Sequence, residues 1–293
     1  MSNINAQMVK ELRDRTGAGM MECKKALINS SGDMEKAVEE MRKAGQAKAD
    51  KKSSRIAAEG VIALSLSDDK NTANIIEINC ETDFVAKDKN FLEFVKKISD
   101  VSLQNYKGDI EKFYKSKDLN GKTIEDVRLE LVSKVGENVQ IRRIQNIESD
   151  GSYIGHYIHG TKIGVAVLLQ KENEDLAKDI CMHIAAMKPK ALNSNDISKE
   201  DLNKEKEIYM AQAQESGKPK EIIEKMVEGK IKKYVSEVTL IEQPFVKDSE
   251  ISVGKLLEQN DNQILSFYRF EVGEGIEKKD ENFADEVMAQ IKK

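Results

Sequence analysis

The 293-residue chain has no tryptophan, and its aromatics are seven tyrosines and eight phenylalanines, so any core must lean on Ile, Val, Leu, Met and Ala. Cysteine is sparse and odd in number. Cys23, Cys80 and Cys181 lie far apart with no CxxC among them, which excludes a disulfide framework and suits a reducing cytoplasm. Histidine is limited to His156, His159 and His183, and there is no HExxH, GxSxG or paired Cys/His zinc spacing. Cys181 and His183 are two residues apart, which on a helix splays them to different faces, so a core cysteine with a surface or satisfied histidine is a better reading than a metal site. No catalytic residue, metal ligand or cofactor is therefore expected. A phosphate-cradling loop is also missing. Gly160-Thr161-Lys162 lacks the leading glycine, and Gly273-Glu274-Gly275 lacks the third, while its own glutamate would repel phosphates. Direct nucleotide binding is not expected. The longest strongly apolar run, Ile163 to Leu169, is seven residues, against about 20 for a membrane span. The opening residues Met1-Ser2-Asn3-Ile4-Asn5 are not a basic-then-apolar leader. A soluble cytoplasmic protein without membrane contact is expected.

What is present is charge. Lys and Arg total 47, Asp and Glu 52, for a net charge of −5. The first 55 residues run the other way, with 12 basic against 8 acidic side chains. A length of 293 residues favours two domains at about 150 residues each. Apolar spacing predicts three short helices: Met8, Val9 and Leu12; Met20 to Ile28; and Met34, Ala37, Val38 and Met41, with Asp33 as the cap of the third. They make a Met-rich domain over 1–45. Residues 46–59 have small and charged residues but no apolar face, and read as a linker, in part helical.

From Gly60 the period changes. Val61 to Leu66 and Ala73 to Cys80 read as strands around the turn Ser67-Asp68-Asp69-Lys70-Asn71. A helix follows through Phe91, Leu92, Val95 and Ile98. Residues 99–124 look irregular, and then come a helix over 123–135 and a strand over 138–144. The order recurs: a hairpin from Tyr153 to Leu169, then a helix through Leu176, Ile180 and Ile184. Hairpin-then-helix occurring twice points to an α+β protein with a two-part antiparallel core, 60–148 and 149–198 with 236–275. Residues 199–235 are charged and helical, broken by Ser216-Gly217-Lys218-Pro219, and read as an antiparallel helical hairpin. Such a hairpin either projects to dimerise or clamp a partner, or packs on its own domain. Ile264 to Val272 reads as a strand. Phe283, Val287, Met288 and Ile291 mark a C-terminal helix within 276–293.

Two segments stand out. In Glu77 to Lys87 a strand ends, Thr82-Asp83 offers helix-capping side chains, and Phe84-Val85 follow. The pattern favours Phe84 packing back as a staple over an exposed recognition ring. In Thr16-Gly17-Ala18-Gly19-Met20-Met21 the two methionines differ by about 100° around a helix, so at least one is exposed.

Leu12 to Leu27, with its Thr16-Gly17-Ala18-Gly19-Met20-Met21 loop, resembles the N-terminal signature of the bacterial elongation factor Ts family. Glu77 to Lys87 resembles that family's Thr-Asp-Phe-Val segment. Lys134 to Asn138, Tyr157 to Gly160, Ser216 to Glu221, Gln243 to Val246 and Arg269 to Gly275 extend the resemblance in family order over nearly the whole chain. It implies a ubiquitin-associated-like three-helix domain, the two-part α+β core, a protruding antiparallel coiled-coil hairpin and a C-terminal helix. It also implies a guanine-nucleotide exchange factor that binds the GTPase elongation factor Tu. Carried over, Thr82, Asp83, Phe84 and Val85 would dislocate the partner's Mg²⁺, with Phe84 as the wedge. Met20, Met21, His159, Phe245 and Val246 would bind the partner. A dimer of the 1:1 complex stays open. The rival reading is an RNA- or ribosome-associated module resting on the basic N-terminal region with Lys48, Lys51, Lys52 and Arg55. It lacks the interleaved aromatics that stack on bases, so nucleic acid is disfavoured.

Overall fold

In the computed structural model, which describes residues 4–118, 120–215 and 219–277, the first helix starts where Asn5 accepts the Met8 N–H on its side chain at 2.9 Å. Helices α1 (Ala6–Thr16), α2 (Met20–Asn29) and α3 (Met34–Lys52) enclose Val9, Leu12, Cys23, Ala26, Leu27 and Ala37. Met8, Met34 and Met41 are half-buried around them. Asp33 caps α3 as expected, its Oδ1 accepting the Lys36 N–H at 3.0 Å. The third helix is longer than its early apolar face suggests. It runs on to Lys52, so residues 46–52 are helix rather than linker. A lone Gly45 costs a helix about 1 kcal/mol and does not stop it. Ala49 is buried in the next core, and Arg42 pairs with Asp126 at 2.6 Å.

Strands β1 (Glu59–Leu66), β2 (Thr72–Cys80) and β3 (Gln140–Glu148) form a sheet in the order β1-β2-β3. Gly60 has φ +144°, and a Cβ there would meet the Ile78 carbonyl oxygen at 2.1 Å, so only glycine lets the two backbones approach this closely. Between β2 and β3 run α4 (Asp83–Ala86), α5 (Lys89–Asn105), α6 (Ile110–Lys115) and α7 (Ile124–Val135). Ile76, Ile78, Phe91, Ile98, Phe113, Ile124, Val139 and Ile141 form their common core. The expectation of an irregular 99–124 is corrected: α5 reaches Asn105 and α6 fills part of the remainder. Phe113 of α6 is buried and meets Tyr106 edge-on at 5.8 Å, a tertiary anchor that periodicity does not reveal.

Strands β4 (Tyr153–His159) and β5 (Ile163–Leu169) pair antiparallel, with Tyr153 opposite Leu169 and His159 opposite Ile163. Helix α8 (Glu174–Met187), capped by Asn173, packs on both strands. Helices α9 (Lys199–Gln214) and α10 (Lys220–Val238) lie against each other through Ala213, Ile223 and Val227, with Tyr209, Met210 and Ile231 beside them. The turn expected at Ser216-Gly217-Lys218 and the helix expected over Phe283–Ile291 lie outside the described residues. Three small elements were not legible: β6 (Pro244–Phe245), β7 (Asp248–Ser252) and α11 (Val253–Gln259). Strand β8 (Ile264–Glu271) completes a sheet in the order β4-β5-β8.

The described residues divide into two compact units. One holds those up to Ala63, Ile76–Asn146 and those from Glu271 on; the other holds Leu64–Ile75 and Ile147–Phe270. Short runs of helices and of strands follow one another along the chain, β4 and β5 pair as an antiparallel hairpin, and the class is α+β.

Candidate partner-binding site

Strand β2 delivers the chain to a tight corner. Thr82 is extended and caps α4, its Oγ1 accepting the Val85 N–H at 3.3 Å. Helix α4 is a single turn, closed when the Lys87 N–H donates to the carbonyls of Phe84 and Val85. Asp88 then caps α5, accepting the Asn90 and Phe91 N–H groups at 2.8 and 3.3 Å. Ala86 is buried and Val85 packs against the core, so one turn of helix must carry the preceding position outward. That position is Phe84, and it is 81% exposed. The staple expected from pattern alone does not form. A staple joins the residue before the cap to the fourth helical residue, here Glu81 and Ala86, and Phe84 sits at the second.

The corner is held from both sides by carboxylates. Glu137 Oε2 accepts the backbone N–H groups of Glu81 and Thr82 at 3.1 and 3.0 Å, and its Oε1 accepts the Thr82 hydroxyl at 2.7 Å. Reciprocally, Glu81 Oε1 accepts the Asn138 N–H at 2.7 Å, and Glu81 Oε2 pairs with Arg55 at 3.4 Å. Buried Asn138 donates its amide to the Arg55 carbonyl at 2.9 Å. Gly136 ends α7 in the left-handed region at φ +78°, which turns the chain sharply enough to bring Glu137 under the corner. Lys52 donates to the Gly136 carbonyl at 2.6 Å. Asp83 and Lys87 form an exposed i,i+4 pair at 2.8 Å.

Upstream in β2, Glu77 is fully buried. It accepts from Asn79 at 3.1 Å, Arg142 at 3.0 Å, Arg143 at 2.5 Å and the Gly273 N–H at 2.8 Å. Burial alone pushes its carboxyl up. The donors from Gly273, Asn79, Arg142 and Arg143 outweigh burial and hold it below the ordinary carboxylate value. Glu274, between Gly273 and Gly275, pairs with Arg143 at 3.2 Å.

On α2, Met20 and Met21 are 50% and 76% exposed, and both face solvent. Ile28, two turns beyond Met21 and on the same face, is exposed as well, an apolar position that helical spacing alone does not mark as outward. In the second unit, His159 ends β4 exposed at the hairpin, its Nδ1 within 3.1 Å of the Tyr157 hydroxyl. Phe245 and Val246 part company. Phe245 is buried against His183, with ring centroids 6.0 Å apart, whereas Val246 is 48% exposed. Phe245 is thus placed as core, and Val246 alone is offered to solvent. The Val246 N–H donates to His183 Nδ1 at 3.2 Å, so Nε2 carries the proton toward Gln243 Oε1 at 2.9 Å. Burial pushes this imidazole below its ordinary value despite the Gln243 bond. Cys181 is buried and free, as expected from its place on α8. Among the described residues no group of three or more His, Cys, Asp or Glu side chains can share a metal ion, and no helix is long and apolar enough to cross a membrane.

The sequence profile of the family described as Elongation factor TS matches residues 81–274. The chain is 57% identical over 290 residues to the elongation factor Ts of Thioalkalivibrio sulfidiphilus (strain HL-EbGR7), covering 99% of each chain. It belongs to the elongation factor Ts family. Its identity to the elongation factor Ts of Legionella pneumophila (strain Paris) is 53% over 292 residues, covering 100% of each chain. For that of Methylococcus capsulatus (strain ATCC 33009 / NCIMB 11132 / Bath) it is 52% over 290 residues, covering 99% of each. Its function is that of a translation elongation factor of the Ts type. The matched segment opens on Glu81, the residue that grips Asn138, and closes on Glu274, the partner of Arg143. The Ts family resemblance read from Thr82 to Val85 therefore falls on a corner built by long-range carboxylate contacts, which no local motif announces.

Proposed function

We propose that the chain is a guanine-nucleotide exchange factor for elongation factor Tu. It binds the GDP-bound GTPase, disturbs the Mg²⁺ and phosphate site, and promotes GDP release so that GTP can bind. The observation that carries this reading is the exposed Phe84 ring on a one-turn helix clamped beneath it. An aromatic ring left in water recovers its burial free energy, about 1.5–3 kcal/mol, only when a partner covers it. Thr82, Asp83 and Val85 shape the turn that presents it. Exposed Met20 and Met21 supply a second contact, and His159 and Val246 supply others, with Phe245 supporting Val246 from the core. Helices α1–α3 serve as a ubiquitin-associated-like partner-binding domain. Helices α9 and α10 serve as a protruding coiled-coil hairpin on which two 1:1 complexes can pair. The setting is cytoplasmic.

The mechanism needs no bond made or broken by this chain. The factor and GDP bind one GTPase with a shared coupling free energy, so the ratio by which the factor weakens GDP is the ratio by which GDP weakens the factor. Only contacts made better in the opened GTPase shift that equilibrium. The direction of exchange follows nucleotide concentrations. The test is stopped-flow release of a fluorescent GDP analogue from elongation factor Tu against rising concentrations of the chain. Release that accelerates and saturates supports the reading; release unchanged at saturating chain overturns it.

A further inference from the structure

A four-residue helix cannot fix the direction of its own side chains. One turn is little more than the costly nucleus of a helix, and Phe84 makes almost no contact that would orient it. The ring's direction is therefore set from the two ends of the turn, by Val85 and Ala86 packed on the core and by whatever holds Thr82. That is Glu137, 55 residues along the chain, with three donors from Glu81 and Thr82 on its two oxygens. The Thr82 hydroxyl works in both directions, donating to Glu137 and accepting from Val85 N–H inside α4. One unbroken series of hydrogen bonds thus runs from the carboxylate into the helix that bears the ring. The return grip of Glu81 on Asn138 and the anchorage of Asn138 to Arg55 keep the Glu137 side of the corner in place.

We propose that Glu137 is a positioning residue for nucleotide exchange: its carboxylate pins Thr82 so that Phe84 is presented in one orientation before the GTPase arrives. This rests on the reading of Phe84 as the intruding ring. A pre-set ring spends less of its contact free energy on ordering, and that gain falls on the exchange step rather than on the docking made by other surfaces. The carboxylate form is needed, since a glutamine offers only one accepting oxygen for the same three donors.

The test is a double-mutant cycle on the full chain, using Glu137→Ala, Phe84→Ala and the double variant. Glu137→Gln is the milder second variant should alanine impair folding, which circular dichroism and thermal melting report. The readouts are the plateau rate of fluorescent GDP release from elongation factor Tu and the chain concentration giving half that rate. Glu137→Ala is expected to lower the plateau on the order of tenfold, with the half-saturating concentration changed less than about threefold, and Glu137→Gln to fall between it and the parent. In the Phe84→Ala background the Glu137 substitution should add less than about a twofold change, because its route to the GTPase is gone. A Glu137 effect of undiminished size in that background overturns the proposal, as does a parental plateau in both Glu137 variants when Phe84→Ala alone is slow. If Phe84→Ala alone leaves the plateau at the parental value, the ring's role fails first and the proposal falls with it; that single variant tells the two failures apart.

Discussion

Two phenylalanines seven residues apart give a contrast that can be worked from burial alone. Phe84 is 81% exposed and Phe91 fully buried. Complete burial of a phenylalanine is worth about 1.5–3 kcal/mol, and roughly a fifth of Phe84 is covered, so Phe84→Ala removes about 0.3–0.6 kcal/mol of transfer free energy. Alanine's higher helix propensity returns about 0.5 kcal/mol. The net change in stability is therefore about zero. Phe91→Ala empties a site in the core shared with Ile98 and Ile124, and costs about 3–5 kcal/mol. Urea unfolding followed by circular dichroism separates them. Phe84→Ala should overlay the parent curve, and Phe91→Ala should move the transition of its unit down by about 1–2 M urea. A loss above about 1.5 kcal/mol for Phe84→Ala would mean that the ring is sealed within its own molecule, and the account of an offered wedge would fail.

Other perturbations follow from the same geometry. Gly60→Ala places a methyl against the Ile78 carbonyl and forces alanine to φ +144°, so it should cost about 3 kcal/mol or more in thermal unfolding; a melting temperature equal to the parent's would contradict the close approach. Replacing Met20 and Met21 together by alanine should leave melting unchanged and weaken the complex with elongation factor Tu by about 1–3 kcal/mol in calorimetry, and unaltered affinity removes them from the interface. Glu77 has a carboxyl held below its ordinary value of 4.5 in the folded chain, so the unfolded chain takes up its proton first. Its stabilising contribution is complete above pH 4.5 and is lost as pH falls through the depressed folded value. Glu77→Gln should cost about 3 kcal/mol at neutral pH and flatten the acid limb of stability against pH; an acid limb as steep as the parent's would show that another carboxylate carries it.

Much of the architecture was legible because amphipathic spacing survives burial. Leu12 and Cys23, Val127 and Leu131, and Ile180 and Ile184 marked their helices, and the run Tyr153 to Leu169 around His159-Gly160 marked its hairpin. Short elements escaped. A two-residue β6 and a five-residue β7 have too few positions to show a period, and α6 is anchored by Phe113 rather than by a stripe. Glu77 also escaped, because a carboxylate between Ile76 and Ile78 reads as the wet face of a strand, whereas Arg142, Arg143 and the Gly273 N–H cover it. At the corner, the caps Thr82 and Asp88 were readable from residue type. The direction of Phe84 was not, because it depends on Val85 and Ala86 packing on a core assembled from distant segments and on a corner that Glu137 holds from 55 residues away, and local pattern favoured the staple. The resemblance supplied a role for the ring that the residues alone did not.

The most direct measurement is ¹⁹F NMR of 4-fluorophenylalanine placed at position 84. In the free chain the resonance should be sharp and show a full H₂O-to-D₂O shift, as an exposed ring does. Adding nucleotide-free elongation factor Tu should move the resonance and abolish the solvent shift, and excess GDP should restore the free signal, since ring and nucleotide compete through one coupling. A resonance that keeps its position and solvent shift throughout complex formation would contradict the account.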